Sequence, residues 1–227
     1  MKAESNQPAS EGSGPVIQYW FSVASPWTWL GSARFIKLVR ANYAQVEVLP
    51  MELGDIFAAT GGRPFAERPA ARKTYRQLEL ARWSKHLNIP LTLEPRFYPV
   101  DRSPASCLVI AARNVAPVAA PVAAPDVAQR ADNDALPLTH AILRAIWAED
   151  RNIANWPTLA AIANDVGLDG NALVEIAQQP ATAEQYRRNT ERAIAAQVFG
   201  APTYVIDGER FWGQDRLGFL AERVQSL

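Results

Sequence analysis

The chain has 227 residues, enough to bury a substantial core, with 23 Lys plus Arg against 23 Asp plus Glu and a formal net charge of zero. A balanced charge supplies no overall field for nucleic acid or an anionic membrane, and no run approaches the roughly 20 apolar residues of a membrane helix. The single cysteine, Cys107, excludes an intrachain disulfide framework. His86 and His140 have no ligand spacing to each other or to Cys107, so all three read as packing or surface residues and no metal site is expected.

The first 14 residues are rich in Ser, Gly, Asn and Glu, lack an apolar signal core, and read as a disordered tail on a cytoplasmic protein. Val16 to Phe21 form a short apolar run suited to a buried parallel strand. "ASPWTWLG" follows at 24–31 and has the form of a strand-to-helix junction. Pro26 is placed for the first helical position and Ser25 for the N-cap, where its hydroxyl either only caps the helix or also faces a ligand. Trp29, Leu30, Ala33, Phe35, Ile36, Leu38 and Val39 continue with helical recurrence, and VEVLPM adds a second strand. Strand, helix, strand makes a βαβ unit.

Residues 69–87 read as an amphipathic helix, followed by helices near 104–114, 138–150, 157–166, 170–178 and 181–197. Between the first two of that series, VAPVAAPVAAPDVA sets a proline every three or four residues, so 115–136 reads as an extended Ala/Pro-rich loop. TYVI, a DG turn at 207–208 and ERFW form a hairpin, and GQDRLGFLAERV a closing helix. The whole reads as an α/β thioredoxin-like sheet, βαβ…ββα. Its two parts are 15–54 and 198–227, around an all-helical insertion at 55–197. That fold sets a cis-proline before the last hairpin, here Ala201–Pro202, beside the helix N-terminus where thiol–disulfide enzymes carry C-x-x-C. Ser25, Pro26, Trp27 and Thr28 fill that slot. Two hydroxyls in place of two sulfurs exclude dithiol redox chemistry by these residues.

With "SPWTWLG", "ATGGRP", "ARWSKHLNIPL", "RAIWAEDRNIAN" and "FGAPTYVIDGERFWGQDRL", the chain resembles the 2-hydroxychromene-2-carboxylate isomerases. These are glutathione-dependent relatives of kappa-class glutathione transferases and of DsbA. The resemblance implies that glutathione is the cofactor, with its sulfur at the catalytic Ser25. It further implies that Ala201, beside Pro202, pairs with glutathione's cysteinyl backbone, and that Gln214 and Asp215 hold its γ-glutamyl end. Asp215 alone would also read as an N-terminal helix charge. The implied substrate is a small aromatic carboxylate isomerised from cis to trans, with Trp27 and Trp29 near the pocket (Trp29 equally a core residue). A homodimer is implied by relatives. A kappa-like transferase and a non-catalytic binding module are the alternatives. Three positions depart from the family pattern. Gly62 stands where an asparagine follows "ATG", the family's lysine falls near Arg72 or Lys73, and Ser22 replaces an aspartate. The resemblance then implies that Arg72, together with Ala201, Pro202, Gln214 and Asp215, binds the glutathione cofactor, an arginine being able to hold a carboxylate with a reach different from lysine's.

Overall fold

The computed structural model describes residues 14–115 and 127–227. Its sheet has four strands, β1 (Val16–Phe21), β2 (Gln45–Pro50), β3 (Thr203–Ile206) and β4 (Glu209–Trp212), in the order β2-β1-β3-β4. β1 and β2 are parallel, with Val16 opposite Gln45 and Phe21 opposite Pro50, joined through helix α1 (Pro26–Ala41). β3 runs antiparallel to both β1 and β4. Asp207 and Gly208 both take positive φ, 50° and 80°, which a two-residue hairpin turn of this hand requires.

The insertion between β2 and β3 holds α2 (Leu53–Thr60), α3 (Ala70–Leu87), α4 (Ser103–Asn114), α5 (Val127–Trp147), α6 (Trp156–Asp165), α7 (Gly170–Ala177) and α8 (Pro180–Ala195). The chain closes with α9 (Leu217–Gln225). Both faces of the sheet are covered, and the strand alternation divides them. Ile17, Tyr19 and Phe21 of β1 with Tyr204 and Ile206 of β3 join the larger core with α1, α4, α5 and α6, while Trp20 and Val205 face a smaller one with Met51, Ile56 and Ala193.

Three boundaries differ from the sequence reading. The short helix α2 was not expected. Its N-cap is Glu52, whose carboxylate accepts from the Gly54 N–H at 2.8 Å, and only Ile56 is buried, too little apolar recurrence to read from sequence. α5 begins at Val127, not near 138, so the expected 115–136 loop is helical from Val127 onward. It runs through Pro137 because Ala135, Leu136 and Leu138 on either side are all buried in the core, and packing outweighs a proline's cost of about 3 kcal/mol. The closing helix starts at Leu217, after a 3-10 turn at Gln214–Arg216. The remaining Ala/Val/Pro repeat and the first 13 residues of the tail lie outside the described residues.

Candidate functional site

β1 delivers the chain to Ser25 at the end of the sheet, where α1 begins. Ser25 is extended at φ −88°, ψ 121°, and its Oγ accepts from the Thr28 N–H at 3.3 Å, an N-cap as the sequence indicates. The same hydroxyl points its proton across the molecule at the carbonyl of Ala201, 3.5 Å away, the outer limit of a hydrogen bond. The peptide bond from Ala201 to Pro202 is cis. Ser25 therefore faces the segment from the other end of the chain, and its proton is held only weakly. Pro26 brings no N–H, and the Trp27 N–H has no partner among the described residues. The helix N-terminus thus keeps a donor and its positive dipole end at this point. The Thr28 hydroxyl, in the second position of the slot, is buried without a partner among the described residues.

A cleft of about 370 Å³ opens beside this junction, lined by Trp27, Ala201, Gln214, Asp215 and Arg216 together with Arg68, Glu79, Trp83 and Trp212. Four of the predicted positions, Ser25, Ala201, Gln214 and Asp215, are thereby brought to one place around Pro202. The approach to the cleft depends on Gly213, at φ 105°, where a Cβ would lie 2.4 Å from Asp215 Oδ1; its N–H donates to the Pro202 carbonyl at 2.9 Å. Gln214 is buried, and Arg34 clamps it from α1, its guanidinium donating to the Gln214 carbonyl at 3.0 Å and to the side-chain oxygen. That side-chain oxygen is committed to the protein, so Gln214 serves the cleft chiefly by fixing the turn. Asp215 is half-exposed and pairs with Arg216 at 2.7 Å. Arg72 sits instead in a neighbouring cleft that shares Arg68 and Trp212 with the first. Lys73 donates to the Ala66 carbonyl.

Trp29 belongs to the core. It is buried, its indole N–H donates to the Pro90 carbonyl at 2.9 Å, and its ring lies 5.1 Å from that of His140. Ser32 donates its one proton to the Trp29 carbonyl at 3.0 Å, so it accepts from His140 Nδ1–H at 2.8 Å. Burial, and then Arg144, push the His140 pKa below its ordinary value. The unfolded chain therefore binds this proton at higher pH than the folded one, and stability falls as pH drops through the ordinary histidine range. A His140→Gln variant is expected to show a shallower loss of stability between neutral pH and about pH 5.5 in paired denaturation curves.

Arg68, Glu79, Trp83 and Trp212 escaped the sequence reading. Glu79 and Trp83 are four apart on the expected amphipathic helix, a spacing that sets them on one face, and Trp212 ends the hairpin on a strand position that is half-exposed. Those were the available signals. Cys107 is buried on α4, and burial pushes its thiol up to about 11, far from the reactive range. The protein is accordingly expected not to reduce insulin disulfides, and appreciable turnover in that assay would overturn the hydroxyl-site assignment.

Residues 16–225 match the DSBA-like thioredoxin domain. The chain belongs to the DSBA-like thioredoxin family. Within it, the chain is 28% identical over 205 residues to a 2-hydroxychromene-2-carboxylate isomerase of Sphingobium xenophagum, covering 90% of this chain and 95% of that one. It is 26% identical over 215 residues to the enzyme of the same name from Pseudomonas putida, covering 93% and 95%. Among solved structures, a 2-hydroxychromene-2-carboxylate isomerase superposes with a TM-score of 0.72 at 23% identity, over 93% of this chain and 95% of that one. The cytosolic disulfide reductase DsbM from Pseudomonas aeruginosa with GSH superposes at 0.61 and 14% identity, over 92% and 99%. The DSBA-like thioredoxin fold and the resemblance drawn from sequence both stand. No helix of the described residues is long and apolar enough to cross a membrane.

Proposed function

We propose that this DSBA-like protein is a glutathione-dependent isomerase of 2-hydroxychromene-2-carboxylate-type aromatic acids, yielding trans-o-hydroxybenzylidenepyruvate-type products in aromatic degradation. The observation that carries the proposal is a serine, not a cysteine, at the N-terminus of α1 facing Ala201–Pro202, in a chain whose curated relatives bear that enzyme's name. A hydroxyl there cannot form a disulfide but can donate to a sulfur anion.

Two features of the cleft support this reading. Its volume of about 370 Å³ lies in the range of small-molecule sites. Its lining holds Asp215, paired with Arg216, Glu79, paired with Arg82, and Arg68, so that a zwitterionic ligand would exchange those surface pairs for its own ammonium and carboxylates. The Ala201 N–H has no partner among the described residues and is free to pair with a peptide as an added strand does.

Glutathione held there would supply a thiolate for reversible conjugate addition, the π pair of the double bond moving onto the conjugated carbonyl oxygen as the C–S bond forms and returning as the thiolate leaves, so that rotation occurs about a single bond. Ser25 would turn its proton from the weak Ala201 contact to the sulfur, and the Trp27 N–H and the α1 dipole would favour the anion further. Trp27 excludes water beside it, and Arg72 holds the substrate carboxylate from the adjoining cleft. Isomerisation of 2-hydroxychromene-2-carboxylate that requires glutathione and consumes none is the expected result. Consumption of glutathione would make the protein a transferase, and turnover unaffected by its omission would overturn the proposal.

A further inference from the structure

Ser25 stands at the head of α1 and Asp215 on the turn at Gln214–Arg216, so a ligand reaching from one to the other is gripped by two separate elements. The turn is fastened to Pro202 by the Gly213 N–H, 2.9 Å from the Pro202 carbonyl, and closed on itself by the Arg216 N–H, which donates to the Gly213 carbonyl at 3.2 Å. Neither bond reaches α1. Among the described residues, both hydrogen bonds between the turn and α1 come from one side chain, Arg34, to the Gln214 carbonyl at 3.0 Å and to the Gln214 side-chain oxygen. Arg34 lines neither cleft and makes no ion pair among the described residues. Its Nε is buried without a partner there, and burial pushes its pKa below the ordinary guanidinium value, while Tyr204 and Asp215 act against that shift. Taking a cation half out of water is costly, and its donors go to the turn. Gly31 and Arg34 are three apart and share one face of α1: the glycine leaves room for the Gln214 Cβ, and the arginine ties the turn down.

A planar guanidinium that holds two oxygens of one residue fixes orientation as well as distance, which a single donor does not. Gln214 is followed directly by Asp215, so the place of that carboxylate relative to Ser25 follows from the Arg34 fork. We propose that Arg34, outside the cleft, is the positioning residue that sets Asp215 against Ser25 and so makes the cleft selective for the γ-glutamyl end of glutathione. The inference rests on the reading of the cleft as a glutathione site. Arg34 acts through the turn and touches no reacting atom. Its loss frees the turn to shift, and the far end of the tripeptide then loses its ammonium partner while the sulfur keeps Ser25 and the cysteinyl backbone keeps Ala201.

The test is calorimetric titration with glutathione and with N-acetylcysteinylglycine, which keeps the thiol, the cysteinyl amide and the glycine carboxylate but has no γ-glutamyl charges. Wild type is expected to bind glutathione about tenfold or more tightly than the truncated thiol. Arg34→Met keeps the length of the side chain and a good helix former, and the gap should close to about twofold through loss of glutathione affinity alone. Arg34→Lys retains the charge without the fork, folds where methionine fails to, and should narrow the gap severalfold. A merely structural role would weaken both thiols alike. That result, a gap left whole in either variant, or a wild type that does not distinguish the two thiols, overturns the inference. The two proposals fail separately. Selectivity that depends on Arg34 in a protein with no isomerase activity sinks the proposed function and leaves the role of Arg34 standing. Glutathione-dependent isomerisation with the gap intact in both variants does the reverse.

Discussion

Ser25→Ala is expected to leave a folded protein whose bound glutathione thiol titrates at higher pH. The two roles of the hydroxyl have separate costs. Loss of the N-cap bond to Thr28 lowers stability by about 0.5–2 kcal/mol, because one of the first N–H groups of α1 loses its acceptor. Loss of a hydrogen bond to a charged sulfur costs about 1.5–3 kcal/mol, which raises the thiol pKa by roughly one to two units. Removing a group that favours the anion moves the pKa up, so turnover near neutrality falls about tenfold to a hundredfold and recovers as pH rises past the new value. Ultraviolet thiolate absorbance of the complex, followed against pH for wild type and variant, reads the shift directly. Superimposable titrations would reduce Ser25 to an N-cap. Ser25→Cys should not rescue turnover, since a sulfur there would crowd or bond the ligand's own.

What could be read from the sequence is what short stretches decide by themselves. Ser25–Pro26 specifies a helix start because one residue accepts an orphan N–H and the next has none to lose, and α1 begins at Pro26. Asp207–Gly208 specifies its hairpin because both residues tolerate positive φ. The resemblance then brought Ala201, Gln214 and Asp215 to Ser25, and the fold gathers them around Pro202. The rest depends on contacts with no local signature. Arg34 and Gln214 are 180 residues apart, and nothing near either predicts that the glutamine turns inward onto a guanidinium. Glu79 and Trp83 reach the cleft because α3 packs beside α1, and Arg68 reaches it from the turn just before α3, placements set by the insertion as a whole. α5 defeats the local rule at Pro137 since its apolar neighbours are worth more in the core than the proline costs.

Gly31→Val is expected to damage the cleft from a position that never touches it. α1 passes so close to the Gln214 turn that a Cβ on residue 31 would meet Gln214 Cβ at 2.9 Å and the Tyr204 hydroxyl at 3.1 Å. Neither neighbour yields easily. Tyr204 is fully buried on β3 with its ring stacked on Tyr19 at 5.4 Å, and Gln214 is buried and clamped by Arg34. Replacing glycine inside a helix gains about 0.5–1 kcal/mol, but overpacking costs about 1–3 kcal/mol, so alanine is near neutral or mildly destabilising. Valine adds two methyl groups and a restricted χ1, and a net loss of about 2–3 kcal/mol follows. The 3-10 turn at Gln214–Arg216 is the softer partner, since Tyr204 is fixed in the sheet between β1 and β4. Its displacement carries Asp215 away from Ala201, so glutathione affinity should fall at least about tenfold in Gly31→Val and severalfold in Gly31→Ala. Ala33→Val, two residues along on the exposed face of α1, is the matched control and should change stability by no more than about 0.5–0.7 kcal/mol, with affinity unmoved. Thermal denaturation and glutathione titration of the three variants check the ordering. A loss of stability in Gly31→Val with unaltered affinity would show that the sheet gives way instead of the turn, and that the position of Asp215 is not set by the contact between Gly31 and Gln214.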